Sequence, residues 1–160
     1  MHNSHVTLHR ASAEDAQQLA VMVGELLHEI MNKTGIAAFD FDAALTTAQL
    51  ISFISQEKYF VFIAKDESAN FIGFISLYES YALYAQGVFG TIPEFYVRPA
   101  FRSQQIGSRL LQHAQAFGNS RSWTRLEVTT PPLPQFDQTI AFYEREGFAI
   151  TGGRKLKVLL

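Results

Sequence analysis

The chain has 160 residues, of which 48% are hydrophobic, and its formal net charge is -2. This length suits one domain with a substantial core, so we expect a single domain over residues 1–160. The near-neutral charge and the lack of a basic tract give no electrostatic reason to expect a nucleic-acid partner. The sequence contains no cysteine, which excludes disulfides, thiolate metal ligands and a cysteine nucleophile.

The first part of the sequence predicts one strand followed by two helices. Alternating residues predict a strand over 6–11, and Ser12 and Asp15 then form a helix start that resembles a capping box. Apolar residues at helical spacing extend this helix to about Met31. A second run with the same spacing predicts a helix over 45–54.

Three strands are predicted in the middle of the sequence. The runs 59–65 and 71–79 are rich in β-forming residues, and the turn sequence DESAN between them predicts a hairpin. Residues 80–87 are ambiguous and read as an irregular connection. The run 88–97 predicts a third strand, in which Pro93 indicates a bulge or an unpaired edge.

The last part of the sequence alternates between helices and strands. A helix is predicted over 106–118, a strand over 123–130 and a short helix within 138–147. Residues 148–151 and 154–160 predict a closing strand pair. The complete order, β-α-α-β-β-β-α-β-α-β-β, is typical of a mixed α/β fold.

Solubility and metal content can also be anticipated. The N-terminal stretch MHNSHVTLHR lacks the apolar centre of a secretory signal, and no apolar run is long enough to cross a bilayer. We therefore expect a cytoplasmic protein with no membrane partner. The five histidines show no metal-ligand spacing, so we expect no metal.

The strand, loop and helix of residues 94–111, EFYVRPAFRSQQIGSRLL, could hold an anion. The first N–H groups of a helix have no partner within it and carry partial positive charge. Arg102 and Ser108 could add hydrogen bonds to a phosphate group, and Gly107 allows close approach to the backbone. On spacing alone, an ordinary loop with a surface arginine is the commoner explanation.

A family resemblance favours the anion site. The segment YVRPAFRSQQIGSRLL resembles the acetyl-CoA-binding motif of the GCN5-related N-acetyltransferase (GNAT) family, where a strand leads through a loop R-x-x-G-x-G/A into a helix. The segment AFYEREGF at 141–148 is similar to the family's late FYEK-x-GF segment. The resemblance implies a mixed, mostly antiparallel central sheet flanked by helices, acetyl-CoA as co-substrate and a homodimer.

The resemblance also implies which residues bind acetyl-CoA. Val97 matches the position whose backbone pairs with the pantetheine arm, Arg102 matches the motif arginine, and Gly107 matches the final glycine. The implied cofactor-binding residues are Tyr96, Val97, Arg102, Ser103, Gln104, Gln105, Ile106, Gly107 and Ser108.

Two positions depart from the family pattern. Gln105 replaces the first motif glycine, so phosphate contact there must tolerate a side chain. Phe136 stands where an asparagine is usual, seven residues before Tyr143. Both departures favour an alternative hypothesis, a non-catalytic acyl-CoA-binding or sensing module with the same fold.

Two residues are candidates for catalytic proton transfer. Acetyl transfer from a thioester to an amine requires a neutral amine, an oxyanion donor and a proton for the thiolate. Tyr143 matches the family tyrosine that often protonates the CoA thiolate, although a core aromatic packed with Phe142 and Phe148 is the structural alternative. Glu94 could remove the amine proton directly or through water; its structural alternative is a surface ion pair.

The acceptor is expected to be a primary amine of a small molecule or peptide. Because a cysteinyl acyl-enzyme cannot form, direct attack on acetyl-CoA in a ternary complex is favoured. Aromatic rings and a carboxylate suit a cationic amine, although aromatic-rich edges also form subunit contacts. The candidate acceptor residues are Tyr78, Glu79, Tyr81, Tyr84 and Phe89.

Overall fold

The computed structural model describes residues 5–131 and 133–160, and the chain divides after Thr129 into two compact units. The second unit contains α4 (Asp137–Arg145). The first contains, in chain order, β1 (Thr7–Arg10), α1 (Ala16–Thr34), α2 (Ala43–Ser55), β2 (Phe60–Lys65), β3 (Phe71–Ala82), β4 (Gly87–Ile92), β5 (Phe95–Val97), α3 (Ile106–Ser120) and β6 (Leu126–Val128).

The first unit is built on one six-stranded sheet with the order β1-β2-β3-β4-β6, while β5 pairs with β3. Every pair is antiparallel except the parallel pair of β4 and β6. One edge of β3 pairs with β2, and its other edge pairs first with β5 and then with β4. The mixed, mostly antiparallel sheet predicted from the sequence is confirmed.

Helices cover both faces of this sheet. Alternate β2 residues point to opposite faces, so Ile63 packs toward α1 whereas Phe62 packs against Phe117 of α3. On the second face, α3 buries Ile106, Leu110, Leu111 and Ala114. The core on the first face comprises Leu19, Ala20, Met22, Leu50, Val61, Ile63, Phe74 and Tyr96.

The helix starts follow the local sequence. The Ser12 N–H donates to a carboxylate oxygen of Asp15 at 2.9 Å, and a short 3-10 turn then leads into α1. The Asp42 carboxylate accepts the Leu45 N–H at 2.8 Å and caps α2. None of the helices among the described residues is long and apolar enough to cross a membrane.

Four predictions about the sheet require correction. The predicted strand 88–97 is divided into β4 and β5, and the irregular connection 80–87 is the end of a hairpin between β3 and β4. The strand predicted over 123–130 is limited to β6. The predicted strand pair at 148–151 and 154–160 is wrong, because no strand forms there and residues 149–160 are exposed. An alternating pattern forms a strand only where a neighbouring strand accepts its hydrogen bonds.

Candidate active site

The sheet opens at the point where β4 ends. The parallel pairing of β4 with β6 ends at Ile92 and Val128. Pro93 follows and interrupts the ladder, because proline has no N–H to donate. β5 then continues with β3 as its partner. The chain therefore runs beside β6 along β4 and leaves β6 at Pro93, shortly before β5 begins.

The backbone of β5 faces this opening on one side. The Ser76 N–H donates to the Glu94 carbonyl and the Arg98 N–H donates to the Ile72 carbonyl, both at 2.9 Å. Because backbone groups alternate along an antiparallel strand, the N–H and C=O of Val97 point away from β3. The Val97 carbonyl accepts Nε of Arg102 at 2.8 Å.

Glu94 lies at the same break and is held by Ser76. The Ser76 hydroxyl donates to Oε1 of Glu94 at 2.6 Å and accepts the Glu94 N–H at 3.1 Å. Ser76 is only 1% exposed, and Glu94 is partly buried. Burial raises the pKa of Glu94, and the hydrogen bonds from Ser76 and Tyr59 oppose that rise.

A cluster of aromatic rings adjoins this carboxylate through Tyr59. The Tyr59 hydroxyl lies 3.5 Å from Oε2 of Glu94. Its ring stacks with Tyr78 at a centroid distance of 6.2 Å and an interplanar angle of 18°, and it also contacts Phe53 at 5.3 Å. Burial, followed by the charge of Glu94, raises the pKa of Tyr59 far above its usual value. Tyr59 is therefore a neutral phenol that can donate to Glu94.

The loop before α3 holds two residues in the left-handed region that favours glycine. The φ angles of Ser103 and Gln105 are 62° and 64°. Gln105 precedes the first residue of α3, and its carbonyl accepts the Arg109 N–H at 3.1 Å. The helical ladder thus begins at Arg109, and the earlier N–H groups of α3 point toward the end of the loop.

A family model described as an acetyltransferase (GNAT) domain matches residues 57–150. The chain belongs to the GNAT acetyltransferase family. The match includes the Glu94 site, the loop before α3 and α4, and it confirms the resemblance carried by the two sequence segments. No curated protein matches the sequence.

Solved structures share the GNAT fold at low sequence identity. An aminoglycoside acetyltransferase, meta-AAC0020 from an uncultured soil metagenomic sample, solved with trehalose, has a TM-score of 0.80 and 16% identity; the match covers 100% of this chain and 99% of that one. A ribosomal-protein-alanine N-acetyltransferase from Brucella melitensis biovar Abortus 2308 has a TM-score of 0.72 and 16% identity, with 96% and 99% covered. A predicted acetyltransferase from Clostridium acetobutylicum, solved with acetyl-CoA, has a TM-score of 0.77 and 14% identity, with 96% of each chain covered.

In this GNAT domain, two of the expected cofactor residues direct their side chains toward α1. The Arg102 guanidinium binds Glu29 at 2.7 Å and lies over the Tyr96 ring. Tyr96 is buried and donates to Glu25 at 3.2 Å. Burial, and then the Glu25 carboxylate, raise the pKa of Tyr96 to about 12. Both side chains thus join β5 and its loop to α1.

The second unit places Tyr143 on α4. Its side chain is buried at 8% exposure, with ring contacts to Phe142 and Phe148 at centroid distances of 5.4 and 5.2 Å. Burial raises its pKa well above the usual value. Phe136 is also buried and directly precedes α4. The catalytic role of Tyr143 stays a prediction.

The five candidate acceptor residues do not form one group. Tyr78 stacks on Tyr59, but Glu79 lies on the other sheet face, where Arg121 and Trp123 donate to it at 2.7 and 3.0 Å. Tyr81 and Tyr84 are exposed near the hairpin tip, and Phe89 is buried. Among the described residues, no cluster of three or more His, Asp or Glu is placed to hold a metal ion.

Sequence reasoning missed two residues of the site, Tyr59 and Ser76. One signal for Ser76 was available, because it is a polar residue within the apolar run FIGFISLY and precedes Tyr78 by two positions. Residues two apart on a strand share a face. Tyr59 carried no comparable signal, because it lies outside the regular strand and its contact with Glu94 spans 35 residues.

Proposed function

We propose that this GNAT protein is an acetyl-CoA-dependent N-acetyltransferase that transfers an acetyl group to a primary amine of a small molecule or peptide. The observation that carries this proposal is the position of Glu94. Its partly buried carboxylate accepts hydroxyl hydrogen bonds from Ser76 and Tyr59 where β4 and β6 separate. A carboxylate with a raised pKa at such a position is suited to general-base catalysis.

The proposed acetyl-CoA site follows from backbone direction. The outward N–H of Val97 would pair with an amide of the pantetheine arm, as a neighbouring strand would. The first N–H groups of α3, at Ile106, Gly107 and Ser108, would hold the pyrophosphate together with the loop residues Ser103 to Gln105. Arg102 would contribute its positive charge and support the Val97 carbonyl.

The reaction proposed is direct attack in a ternary complex. Glu94 takes a proton from the ammonium form of the acceptor, directly or through water, which frees the nitrogen lone pair. The nitrogen forms a bond to the thioester carbonyl carbon, and the carbon–sulfur bond then breaks. Tyr143 gives its proton to the thiolate as the carbon–sulfur bond breaks, and the phenolate then regains a proton from solvent. The second amine proton leaves to solvent, giving the amide and the thiol.

The test separates binding from chemistry. Calorimetric titration with acetyl-CoA, with ADP as competitor, should give saturable binding, and a set of primary amines should then support thiol release. Glu94→Gln and Tyr143→Phe should keep acetyl-CoA binding and reduce turnover by roughly 10²-fold or more. Glu127→Gln is the matched control. Glu127 lies on β6, and its partly exposed carboxylate forms an ion pair with Arg125.

Each alternative has its own outcome. Binding without thiol release for any amine would identify a non-catalytic acyl-CoA-binding module, and no binding by the folded protein would end the acetyltransferase proposal.

We also propose that residues 1–160 act as a single domain and form a homodimer. The family match supports the single domain because it continues across the boundary at Thr129. Light scattering of the purified protein tests the dimer.

A further inference from the structure

The end of β5 is held by few backbone hydrogen bonds. This strand has three residues, Phe95–Val97, and its partner in the sheet is β3. The N–H of Val97 points away from β3, and in the proposed acetyl-CoA site it would pair with the pantetheine arm. A short strand that is paired along one edge opens easily unless other contacts hold it. The side chains next to Val97 therefore decide how firmly this peptide is oriented.

The Arg98 side chain joins the end of β5 to two other elements. Its Nε and Nη2 donate to the two carboxylate oxygens of Glu25 on α1, at 2.9 and 3.0 Å. Its Nη1 donates to the Phe71 carbonyl at the start of β3, at 2.6 Å. A planar guanidinium that binds a carboxylate through two nitrogens is fixed in direction as well as in position. Arg98 therefore ties the residue after Val97 to α1 and to β3.

Glu25 also binds the residue before Val97. The Tyr96 hydroxyl donates to Oε1 of Glu25 at 3.2 Å. Tyr96 and Arg98 are two residues apart, so their side chains share one face of β5, and their common partner on that face is Glu25. One carboxylate of α1 thus holds the residues on both sides of Val97.

The backbone of β3 approaches the same peptide closely. Gly73 is the partner of Val97 in the sheet. A Cβ at Gly73 would lie 2.9 Å from the Tyr96 carbonyl oxygen and 3.3 Å from the Cα of Val97. A side chain could enter there only if the backbone of β5 moved. The position of Val97 is therefore set by β3 along one edge and by the Glu25–Arg98 pair from α1.

We propose that Glu25 and Arg98 are positioning residues for acetyl-CoA, because they hold the Val97 peptide in the direction in which its N–H can pair with the pantetheine arm. This proposal rests on the proposed acetyltransferase function. Both residues act through the backbone of β5. In the proposed site the pyrophosphate lies at the start of α3, so the pair should affect binding of the pantetheine arm and not binding of the nucleotide.

The test compares a ligand that has the pantetheine arm with one that lacks it. Acetyl-CoA and ADP are titrated separately, by calorimetry at moderate salt, into the unmodified protein, Glu25→Gln and Arg98→Lys. Circular dichroism shows that each protein is folded at the temperature used. Loss of one hydrogen bond to the arm should weaken acetyl-CoA by roughly three- to tenfold, while the affinity for ADP should stay within about twofold.

The two variants also separate positioning from charge. Glu25→Gln removes a negative charge, whereas Arg98→Lys keeps the positive charge and loses the planar fork. An effect of charge on the anionic ligands would strengthen both ligands in Glu25→Gln and leave both unchanged in Arg98→Lys. Positioning predicts weaker acetyl-CoA in both variants. The double variant should bind acetyl-CoA no more weakly than the weaker single variant, because both changes remove the same interaction.

Two further variants check that the loss is specific to the Val97 peptide. Gly73→Ala should displace this peptide from the β3 side and should also weaken acetyl-CoA more than ADP. Arg121→Met is the matched control, because Arg121 pairs with Glu79 on the other face of the sheet. Its side chain is 34% exposed, close to the 30% of Arg98. The control should lose stability and keep the parent's ratio of acetyl-CoA to ADP affinity.

A kinetic readout completes the test and keeps the two proposals distinguishable. With an amine that supports thiol release, the KM for acetyl-CoA should rise in Glu25→Gln and Arg98→Lys, and the KM for the amine should not. Parallel losses of acetyl-CoA and ADP affinity, or no loss of either, would overturn the positioning role and leave the acetyltransferase function intact. Selective loss of acetyl-CoA affinity, in a protein that releases no thiol with any amine, would support the positioning role and contradict the acetyltransferase function.

Discussion

Ser76 and Glu94 are joined by side chain and backbone together. The Ser76 hydroxyl donates to the Glu94 carboxylate at 2.6 Å and accepts the Glu94 N–H at 3.1 Å, while the Ser76 N–H donates to the Glu94 carbonyl at 2.9 Å. The backbone bond extends the β3–β5 ladder to Glu94, the residue directly after Pro93. Ser76 therefore binds the backbone of Glu94 next to the break and also orients the side chain of this candidate base.

Replacing Ser76 by alanine should affect both stability and titration. The change leaves the Glu94 N–H without its acceptor and the Glu94 carboxylate without its closest donor, which should lower the free energy of unfolding by roughly 1–3 kcal/mol. It also removes a bond that favours the ionised form, so the pKa of Glu94 should rise. The acidic limb of the pH profile of kcat/KM should move to higher pH.

Ser80→Ala is the control for this prediction. Ser80 lies four residues after Ser76, on the same face of β3, and its hydroxyl shares a hydrogen bond with the Thr91 hydroxyl at 2.7 Å. The control should lose stability without moving the acidic limb. An unchanged limb in Ser76→Ala would argue that Glu94 does not set the pH dependence.

Glu94→Gln should stabilise the protein in a pH-dependent way. A carboxyl whose pKa is raised on folding holds its proton more tightly in the folded state, so its stabilising contribution is present at low pH and is lost as the pH rises through the raised pKa. Glutamine stays neutral throughout. The two proteins should have similar Tm values in acid, and the variant should have the higher Tm at neutral pH. A parent protein that is the more stable one at neutral pH would contradict this.

Variants of the two partners in the Arg102–Glu29 ion pair should have similar effects on stability but opposite effects on acetyl-CoA affinity. Arg102→Ala and Glu29→Gln should both lower the free energy of unfolding, by about 1 kcal/mol or less, because the pair is partly exposed. Acetyl-CoA affinity should fall in Arg102→Ala, which loses positive charge near the proposed phosphate site. It should rise a few-fold at low salt in Glu29→Gln, which loses a negative charge. Calorimetry at two salt concentrations tests this, and equal losses in both variants would contradict it.

Gln105 should tolerate glycine and reject a β-branched residue. Its φ of 64° is favourable for glycine and strained for other residues. Gln105→Gly should therefore keep acetyl-CoA binding and change the free energy of unfolding by no more than about 1 kcal/mol. Gln105→Val should weaken both, as measured by urea unfolding and calorimetry. Loss of binding in the glycine variant would show that the glutamine side chain itself holds the ligand.

Gly90 should not accept a side chain. A Cβ there would lie 2.4 Å from the ring of Trp123 and 2.7 Å from Leu126. Gly90→Ala should cost roughly 1–3 kcal/mol of unfolding free energy. It should also shift the emission of Trp123, which is the one tryptophan in the sequence. Gly152→Ala is the control, since nothing lies within 4 Å of that position.

The sequence predicted those features that depend on local patterns. Helical spacing and the proline beside Glu94 are visible within a few residues, so α3 and an irregularity at Pro93 could be anticipated. Tyr59 and Ser76 could not be assigned to the site, because their contacts with Glu94 span 35 and 18 residues. Such contacts depend on which strands pair and in which register, and residues far apart in the chain decide both.

The errors have the same physical origin. Residues 154–160 alternate as a strand does, yet they form none, since alternation does not provide a partner. Glu79 and Tyr78 are neighbours in the sequence, but the pleat sends them to opposite faces of β3. Glu79 therefore binds Arg121, which directly follows α3 on one face of the sheet, while Tyr78 stacks with Tyr59 on the other face.

The length of β3 has a consequence for motion. This strand pairs with β2 on one edge and with β4 and β5 on the other, so most of its amide protons are enclosed by partners on both sides. Amides in such a strand exchange with solvent only when much of the protein opens. The Ser76 hydroxyl that orients Glu94 thus belongs to the segment that we expect to be slowest in hydrogen exchange, so we expect the candidate base to keep its orientation when less protected parts of the protein open.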